Sequence, residues 1–348
     1  METPYMVTGG SGLAGSHIIR ALAERGDRVL NFDIRPPRDK QAWYLDPFKD
    51  KVEFFEGDTT DLPMILRAIK EHGVKKISHQ AAIFRHPFEN ANPYRTFMVA
   101  EMGTINILEA ARLMDLERVT MASTQVYAPG PAPDGVDETW PPAVSSVAGQ
   151  YPYMVSKLAS EQWGLSYFVN NAVDFVATRF QGVYGLGMRD PIGYIKDIIE
   201  KAAAGIPTTY SEKTMERVWD GFQWHKRSPA GYLRVTYGYA KNVALGSLLA
   251  LDAKKEQLQS RIYNIMDDRV TYLSELVKIV EEVSGTKCSL APDLIELEKK
   301  TSIEKMRPFR STERARKELG YVPKYDLRAG VEDYIRLYRE YLKTRKPR

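Results

Sequence analysis

Cysteine is almost missing from this sequence of 348 residues, in which Cys288 is the only one. A single thiol excludes a disulfide within the chain and any metal site built from several cysteines. Only five histidines are present, and their spacing matches no zinc-binding pattern. The sequence therefore predicts no metal centre.

Long apolar runs and a strong excess of charge are also missing. No apolar run is long enough to span a bilayer, and the formal net charge is only +4. The basic residues are scattered apart from a C-terminal run at 343–348, so neither nucleic acid nor a membrane surface is an expected partner. Because the first predicted strand begins almost at the N-terminus, we expect no signal peptide and a cytoplasmic protein.

Short apolar runs alternate with amphipathic stretches through the first half of the chain. This alternation is typical of βαβ units and predicts an α/β fold with a parallel sheet. The predicted strands are 4–8, 28–33, 51–56, 76–80, 117–122 and 173–179, and the predicted helices are 13–25, 61–72, 94–114 and 152–170.

The second half is less regular, as expected for a smaller lobe appended to a large α/β domain. Residues 208–233 are aromatic and polar without a clear period, which predicts a long irregular insertion. Around it, the sequence predicts helices at 191–204, 239–252 and 273–284, a strand at 261–265, and two helices within 314–342.

Three glycines follow the first predicted strand at three-residue spacing: Gly9, Gly12 and Gly15. Such a turn lets a phosphate approach the backbone and the helix start, although an ordinary βα turn can look the same. Asp33 ends the next strand about twenty residues later, where a carboxylate can accept hydrogen bonds from an adenosine ribose. A surface aspartate before Pro36 is the alternative, but the joint pattern favours a dinucleotide site.

Asp58 closes the third predicted strand, directly after Gly57. A carboxylate there can meet an adenine amino group, or it can cap the helix that follows. Both interpretations remain open from the residues alone.

Tyr153 and Lys157 are four residues apart near the start of a predicted helix, so their side chains share one face. A nearby ammonium favours the phenolate and can make tyrosine a base near neutral pH. The spacing is also common by chance. Ser123 lies at the end of a predicted strand, where it can hydrogen-bond a substrate oxygen or merely cap a turn.

Together these residues resemble the extended short-chain dehydrogenase/reductase family, in its NAD-dependent epimerase/dehydratase branch. The resemblance covers nearly the whole chain. It is carried by TGGSGLAG at 8–15, GD at 57–58, HQAA at 79–82, GTINILEAA at 103–111, MASTQVY at 121–127, YPYMVSK at 151–157, RFQGVYG at 179–185, IYNI at 262–265 and KELGYVPKYDLRAGV at 317–331.

The resemblance implies a Rossmann-type doubly wound parallel sheet with a smaller mixed α/β C-terminal substrate lobe. It places the dinucleotide domain at 1–182 plus about 234–265, and the lobe at 183–233 plus 266–348. It also implies a homodimer, with NAD as the cofactor.

The resemblance assigns roles to individual residues. Tyr153 becomes the acid/base, Lys157 its partner and a ligand of the nicotinamide ribose, and Ser123 the hydroxyl that orients the substrate oxygen. The expected cofactor contacts are Gly9, Gly12, Leu13, Gly15, Asp33, Asp58, Thr59, Ala81, Ala82, Tyr153 and Lys157. The expected substrate contacts are Arg85, His86, Thr124, Gln125, Gln181 and Arg234.

Gln125 is the residue that bears most on which reaction the sequence predicts. Dehydratases of the family carry an acidic residue at this position, and an amide cannot act as the base for elimination. The sequence therefore predicts an epimerase of a sugar or nucleotide-sugar. A dehydrogenase or ketoreductase that releases its product is the alternative, and a dehydratase or a non-catalytic dinucleotide sensor fits less well. Ala100 and Gly182 stand where the family usually has asparagine, and Arg234 is one position out of register with the family's pyrophosphate-binding arginine.

The remaining histidines carry no expected chemistry. We expect structural roles for His17, His72 and His79, and an exposed position for His225.

Overall fold

The computed structural model describes residues 5–84, 92–124, 134–141, 152–188, 194–218, 233–267, 269–301 and 309–345. Within them lies one large sheet of seven strands, ordered β11-β6-β5-β4-β1-β2-β3. The strands of the described residues are β1 Tyr5–Thr8, β2 Val29–Asp33, β3 Val52–Glu56, β4 Lys76–His79, β5 Arg118–Thr124, β6 Phe175–Phe180, β7 Val183–Tyr184, β8 Thr208–Tyr210, β9 Arg234–Val235, β10 Gly238–Tyr239, β11 Ile262–Asn264, β12 Thr271–Tyr272 and β13 Cys288–Leu290.

Every neighbouring pair in the large sheet is parallel. Apart from β11 at one edge, the order is that of a doubly wound dinucleotide fold, and its switch point lies between β1 and β4. All residues of β1 and β6 are buried, as expected for strands of a parallel sheet that is covered on both faces. The fold class predicted from the sequence is therefore observed.

The helices of the described residues are α1 Leu13–Arg25, α2 Asp39–Leu45, α3 Leu62–His72, α4 Pro93–Phe97, α5 Gly103–Leu113, α6 Pro152–Asn171, α7 Tyr194–Ala203, α8 Glu212–Val218, α9 Ala240–Asp252, α10 Leu273–Ser284, α11 Pro292–Lys300, α12 Glu313–Leu319 and α13 Leu327–Thr344. The first of them has the predicted bounds, because Gly12 precedes its first residue and Gly26, with φ +107°, ends it in the left-handed conformation.

The predicted single helix over 94–114 is wrong in its continuity. Between α4 and α5 the chain takes a wider π-helical turn at Met98–Met102. The Ala100 carbonyl in this turn accepts hydrogen bonds from the Thr104 hydroxyl at 2.7 Å and the Ser160 hydroxyl at 3.0 Å. Side-chain donors to a helix carbonyl favour such local distortions.

The prediction of an irregular insertion is wrong over 208–218, which forms β8 and α8. The strand exists because it pairs in parallel with β13, about eighty residues away. Tyr210 at its end is fully buried, and its hydroxyl donates to Asp197 at 2.8 Å. A short segment stabilised by so distant a partner gives no local periodicity.

The C-terminal elements pack around α1 and the segment that follows β7. His17 of α1 is buried, and its Nε2 lies 3.0 Å from the Leu186 carbonyl. Because a carbonyl can only accept, Nε2 carries the proton and Nδ1 accepts from the Tyr44 hydroxyl at 3.1 Å. Burial lowers the pKa of His17 to about 4. Two short two-stranded sheets, β7–β10 and β9–β12, and a third formed by β8 and β13, complete this region.

Candidate active site

The glycine turn lies at the switch point of the sheet, between β1 and α1. Gly9 has φ +66°, and a Cβ atom there would lie 2.7 Å from the Ala81 nitrogen. At Gly15 a Cβ atom would lie 2.4 Å from the Gly9 carbonyl oxygen. Only glycine fits either position, so the turn is tight and α1 begins against it. Gly12 is the N-cap residue of α1 and offers no side-chain cap, which leaves the first N–H groups of the helix for a ligand.

Asp33 ends β2 directly beside this turn. Its Oδ2 accepts a hydrogen bond from the Ser11 backbone nitrogen at 3.1 Å, and its Oδ1 accepts one from Arg35 at 3.3 Å. The carboxylate therefore belongs both to the glycine turn and to the loop that follows β2. The geometry fits the predicted contact with an adenosine ribose, which stays a prediction.

Asp58 does not cap α3, because Asp61 does so through a 3.0 Å bond from the Met64 nitrogen. Instead, Oδ1 of Asp58 accepts from the backbone nitrogen and hydroxyl of Thr60, both at 2.9 Å, and Oδ2 lies 2.7 Å from Nη2 of Arg95. Burial alone raises the pKa of Asp58, but these bonds hold it below its ordinary value. A contact with adenine stays a prediction.

His79 at the end of β4 links the end of β1 to α5 through two threonine hydroxyls. Its Nδ1 lies 2.6 Å from the Thr8 hydroxyl and its Nε2 lies 3.1 Å from the Thr104 hydroxyl. Thr104 gives its single proton to Ala100, so it accepts from Nε2–H, and in the neutral ring Nδ1 is left to accept from the Thr8 hydroxyl. Burial, with the Lys157 charge adding to it, lowers the pKa of His79 to about 3. Ala81, whose nitrogen donates to Thr8 at 3.4 Å, is tied to the same chain of hydrogen bonds.

The other expected cofactor residues come shortly after the ends of β1, β3 and β4. Leu13 begins α1, and Ala82 directly follows Ala81 after β4. Thr59 is buried, and its carbonyl accepts from the Asn106 side chain at 2.9 Å.

Tyr153 and Lys157 lie one turn apart on α6, as predicted. The Lys157 ammonium is buried, donates to the Ala122 carbonyl at 2.6 Å and lies 5.8 Å from the centre of the Tyr153 ring. Burial lowers the pKa of Lys157 to about 8, while the charge of Glu161 opposes that shift. The Phe84 ring packs on Tyr153 with 4.7 Å between ring centres. This arrangement places a cation beside a tyrosine whose base form it favours.

Ser123 lies near the carboxyl end of β5. Its hydroxyl donates to Oε1 of Glu161 at 2.6 Å. Glu161 is fully buried on α6 and is paired with Arg179 of β6, with 2.7 Å between Oε2 and Nη2. The sequence analysis missed this pair. The available signal was an arginine inside an apolar strand and a glutamate one turn after Lys157, since charges are seldom buried unless they are paired.

The predicted substrate residues are placed unequally. Thr124 ends β5 opposite Phe180. Gln181 follows β6, and among the described residues both polar atoms of its buried carboxamide are without a hydrogen-bond partner. Arg234 is buried in β9, and its Nη1 and Nη2 bind the two carboxylate oxygens of Asp134 at 3.0 and 2.6 Å. Arg85, His86 and Gln125 lie outside the described residues.

Two further properties concern the described residues alone. None of their helices combines the length and the apolar character that crossing a membrane requires. Nor do their histidine, cysteine, aspartate and glutamate side chains form any group of three or more that could hold a metal ion.

A doubly wound sheet, a glycine turn at its switch point and a Ser–Tyr–Lys set at its carboxyl edge define the class as a dinucleotide-dependent enzyme of the short-chain dehydrogenase type. The family follows from comparison with known proteins. The model of the NAD dependent epimerase/dehydratase family matches residues 5–265, and the chain belongs to this family. The family, the enzyme class and the NAD dependence predicted from the sequence are confirmed.

Individual relatives are similar over nearly the whole chain. A putative UDP-glucose 4-epimerase of Methanocaldococcus jannaschii is 28% identical, over 95% of this chain and 96% of its own length. A UDP-glucuronate 4-epimerase of Arabidopsis thaliana is 26% identical, over 96% of this chain and 71% of its own length. The crystal structure of a UDP-glucose 4-epimerase of Thermus thermophilus, a complex with NAD, superposes with a TM-score of 0.74. It is 26% identical and covers 97% of this chain and 99% of its own.

Proposed function

We propose that this protein inverts the configuration at carbon 4 of a UDP-sugar through transient oxidation of the hydroxyl on that carbon. The observation that carries the proposal is that Lys157 bonds to the Ala122 carbonyl beside Ser123 at the carboxyl end of β5, with Tyr153 one helical turn before Lys157. The relatives named as UDP-glucose and UDP-glucuronate 4-epimerases support the substrate class.

The residues at the glycine turn and at the end of β2 fit the cofactor. The tight turn at Gly9 and Gly15, the uncapped start of α1 and Asp33 suit a pyrophosphate and an adenosine ribose. Lys157, whose ammonium donates to the Ala122 carbonyl, would bind the second ribose, as the family resemblance implies. When bound, NAD supplies the reversible two-electron acceptor of the reaction.

The chain itself handles the proton. Tyr153 takes the proton of the substrate hydroxyl as the carbonyl forms. It returns the proton to the same oxygen when the alcohol forms again with the opposite configuration at carbon 4. The Lys157 charge favours the phenolate during the first half. One group thus serves as base and then as acid, which an epimerase requires.

Several finer features belong to the same proposal. The division into a dinucleotide domain and a substrate lobe, the contacts of Thr124, Gln181 and Arg234, and the effect of Gln125 on elimination stay predictions. A cytoplasmic location rests on the composition of the sequence.

We further propose a homodimer formed through α4 and α6. Large apolar side chains are exposed on both helices, with Tyr94 at 72%, Val155 at 50% and Trp163 at 44% exposure. Burial of such side chains stabilises association. Sedimentation equilibrium is expected to give twice the monomer mass, and a monomer at micromolar concentration would contradict the proposal.

The catalytic proposal is tested by incubating the purified protein with NAD and, in turn, UDP-glucose, UDP-galactose and UDP-glucuronate. Chromatography is expected to show conversion of one of them into its carbon-4 stereoisomer, with no growth of NADH absorbance in solution. Stoichiometric NADH would contradict the epimerase and favour the dehydrogenase.

A further inference from the structure

Glu161 is a buried hub between three elements of the site. Its Oε1 accepts from the Ser123 hydroxyl at 2.6 Å and from Nε of Arg179 at 2.8 Å. Its Oε2 accepts from Nη2 of Arg179 at 2.7 Å. The side chain of Glu161 is fully buried and that of Arg179 is 5% exposed. A carboxylate at this depth is stable only when it is paired and hydrogen-bonded, and Arg179 fulfils both conditions.

The hydroxyl proton of Ser123 is therefore used in the hydrogen bond to Glu161. A hydroxyl has one proton to donate and two lone pairs that accept. Since a carboxylate can only accept, the Ser123 proton points to Glu161, and any other hydrogen bond of this hydroxyl must be accepted by its oxygen. Charge-assisted bonds of this kind are stronger than bonds between neutral groups.

Two side chains on the same face of α6 bind consecutive residues of β5. Lys157 donates to the Ala122 carbonyl, and one turn later Glu161 accepts from Ser123. The spacing of the two contacts along α6 fixes Ser123 relative to the Tyr153–Lys157 pair. Arg179 lies directly opposite Ser123 in the parallel register of β5 and β6, so the third partner is supplied by the adjacent strand.

We propose that Glu161 is a positioning residue that accepts the hydrogen bond of the Ser123 hydroxyl and so presents the Ser123 oxygen to the substrate as a hydrogen-bond acceptor. This inference rests on the proposed function. In its terms, Ser123 accepts a hydrogen bond from another hydroxyl of the sugar, because the one proton of the reacting hydroxyl goes to Tyr153. Ser123 therefore assists binding and orientation of the sugar, and donates nothing to the carbonyl of the oxidised sugar.

The test is a double-mutant cycle between Ser123→Ala and Glu161→Gln, read on turnover of the UDP-sugar. Because one charge-assisted hydrogen bond is lost in each case, each variant is expected to lower turnover by about 10- to 100-fold. Because Glu161 acts through Ser123, the double variant is expected to stay within about threefold of the more damaged single variant. NAD affinity is expected to remain within about threefold in all of them.

A second variant guards against misfolding, since Glu161→Gln turns an amide NH2 group toward Nη2 of Arg179, so that two donors face each other. Replacing Glu161 and Arg179 together by methionine exchanges the buried ion pair for apolar side chains of similar size, which proteins often tolerate. This variant removes the acceptor of the Ser123 proton, and is expected to lose turnover to the same extent as Glu161→Gln.

The matched control is Glu200→Gln. Glu200 of α7 is also a buried carboxylate, paired with Lys40 and accepting from the Tyr334 hydroxyl at 2.8 Å, but it lies outside the catalytic set. Its replacement is expected to lower the thermal midpoint and leave turnover within about twofold.

The outcomes separate the two proposals. Coupled losses with unchanged NAD affinity support the role of Glu161. Additive losses, or loss of NAD binding in step with turnover, would overturn that role while the proposed function stands. Absence of turnover by the unaltered protein with every UDP-sugar would overturn the proposed function, and the role of Glu161 with it.

Discussion

Replacing Tyr153 by phenylalanine is expected to lower turnover by at least about a hundredfold, the usual contribution of one acid/base group. The substitution removes only the hydroxyl. The ring that packs on Phe84, and the position of Lys157, remain. NAD affinity, measured by calorimetric titration, is therefore expected to stay near that of the unaltered protein.

Tyr167→Phe is the matched control for this prediction. Tyr167 lies on the same helix, and its hydroxyl donates to Glu109 at 3.2 Å, away from the Ser123–Tyr153–Lys157 set. This variant is expected to keep full turnover. If Tyr153→Phe kept most of its activity as well, the base would have to be another residue.

Acidification is expected to destabilise the protein through His17 and His79. Both imidazoles are neutral in the folded state, with their pKa lowered by burial to about 4 and about 3. In the unfolded chain they bind a proton near pH ~6.5. The unfolded state therefore binds more protons below that pH, and the free energy of unfolding falls as the pH falls.

The expected slope approaches ~1.4 kcal/mol per pH unit for each histidine, until the pH reaches its folded pKa. Two such groups remove a large part of an ordinary stability of ~5–15 kcal/mol within a few pH units. Denaturant unfolding between pH 7.5 and 4.5 measures this slope. His17→Gln is expected to reduce it, because one of the two buried imidazoles is then removed. An unchanged slope in His17→Gln would contradict the assignment.

The first half of the fold could be predicted from sequence because its signals are local. The glycines at 9, 12 and 15 fix the turn, and α1 then has the predicted bounds. Each buried strand of the large sheet is bounded by turn residues, so its existence follows from one short window. The spacing of Tyr153 and Lys157 is local as well, since it depends only on the helical period.

The rest depends on partners that are distant in the chain. β8 forms only against β13, and the turn at Met98–Met102 widens where Ser160 bonds to the Ala100 carbonyl. Arg234 shows the same limit, because Asp134, which holds it in a bidentate ion pair, is 100 positions away. Glu161 and Ser123 meet only once α6 has packed on β5. Periodicity carries no information on such contacts.

Deuterium at carbon 4 of the UDP-sugar tests directly whether epimerisation proceeds by transient oxidation at that carbon. The purified protein is incubated with the labelled substrate and unlabelled NAD. Mass spectrometry then measures how much deuterium the carbon-4 stereoisomer keeps, how much appears in free NADH and how much is lost to water. Transient oxidation within one closed site predicts that the carbon-4 stereoisomer keeps its deuterium. Deuterium that accumulates in free NADH, or is lost to water during epimerisation, would contradict the account.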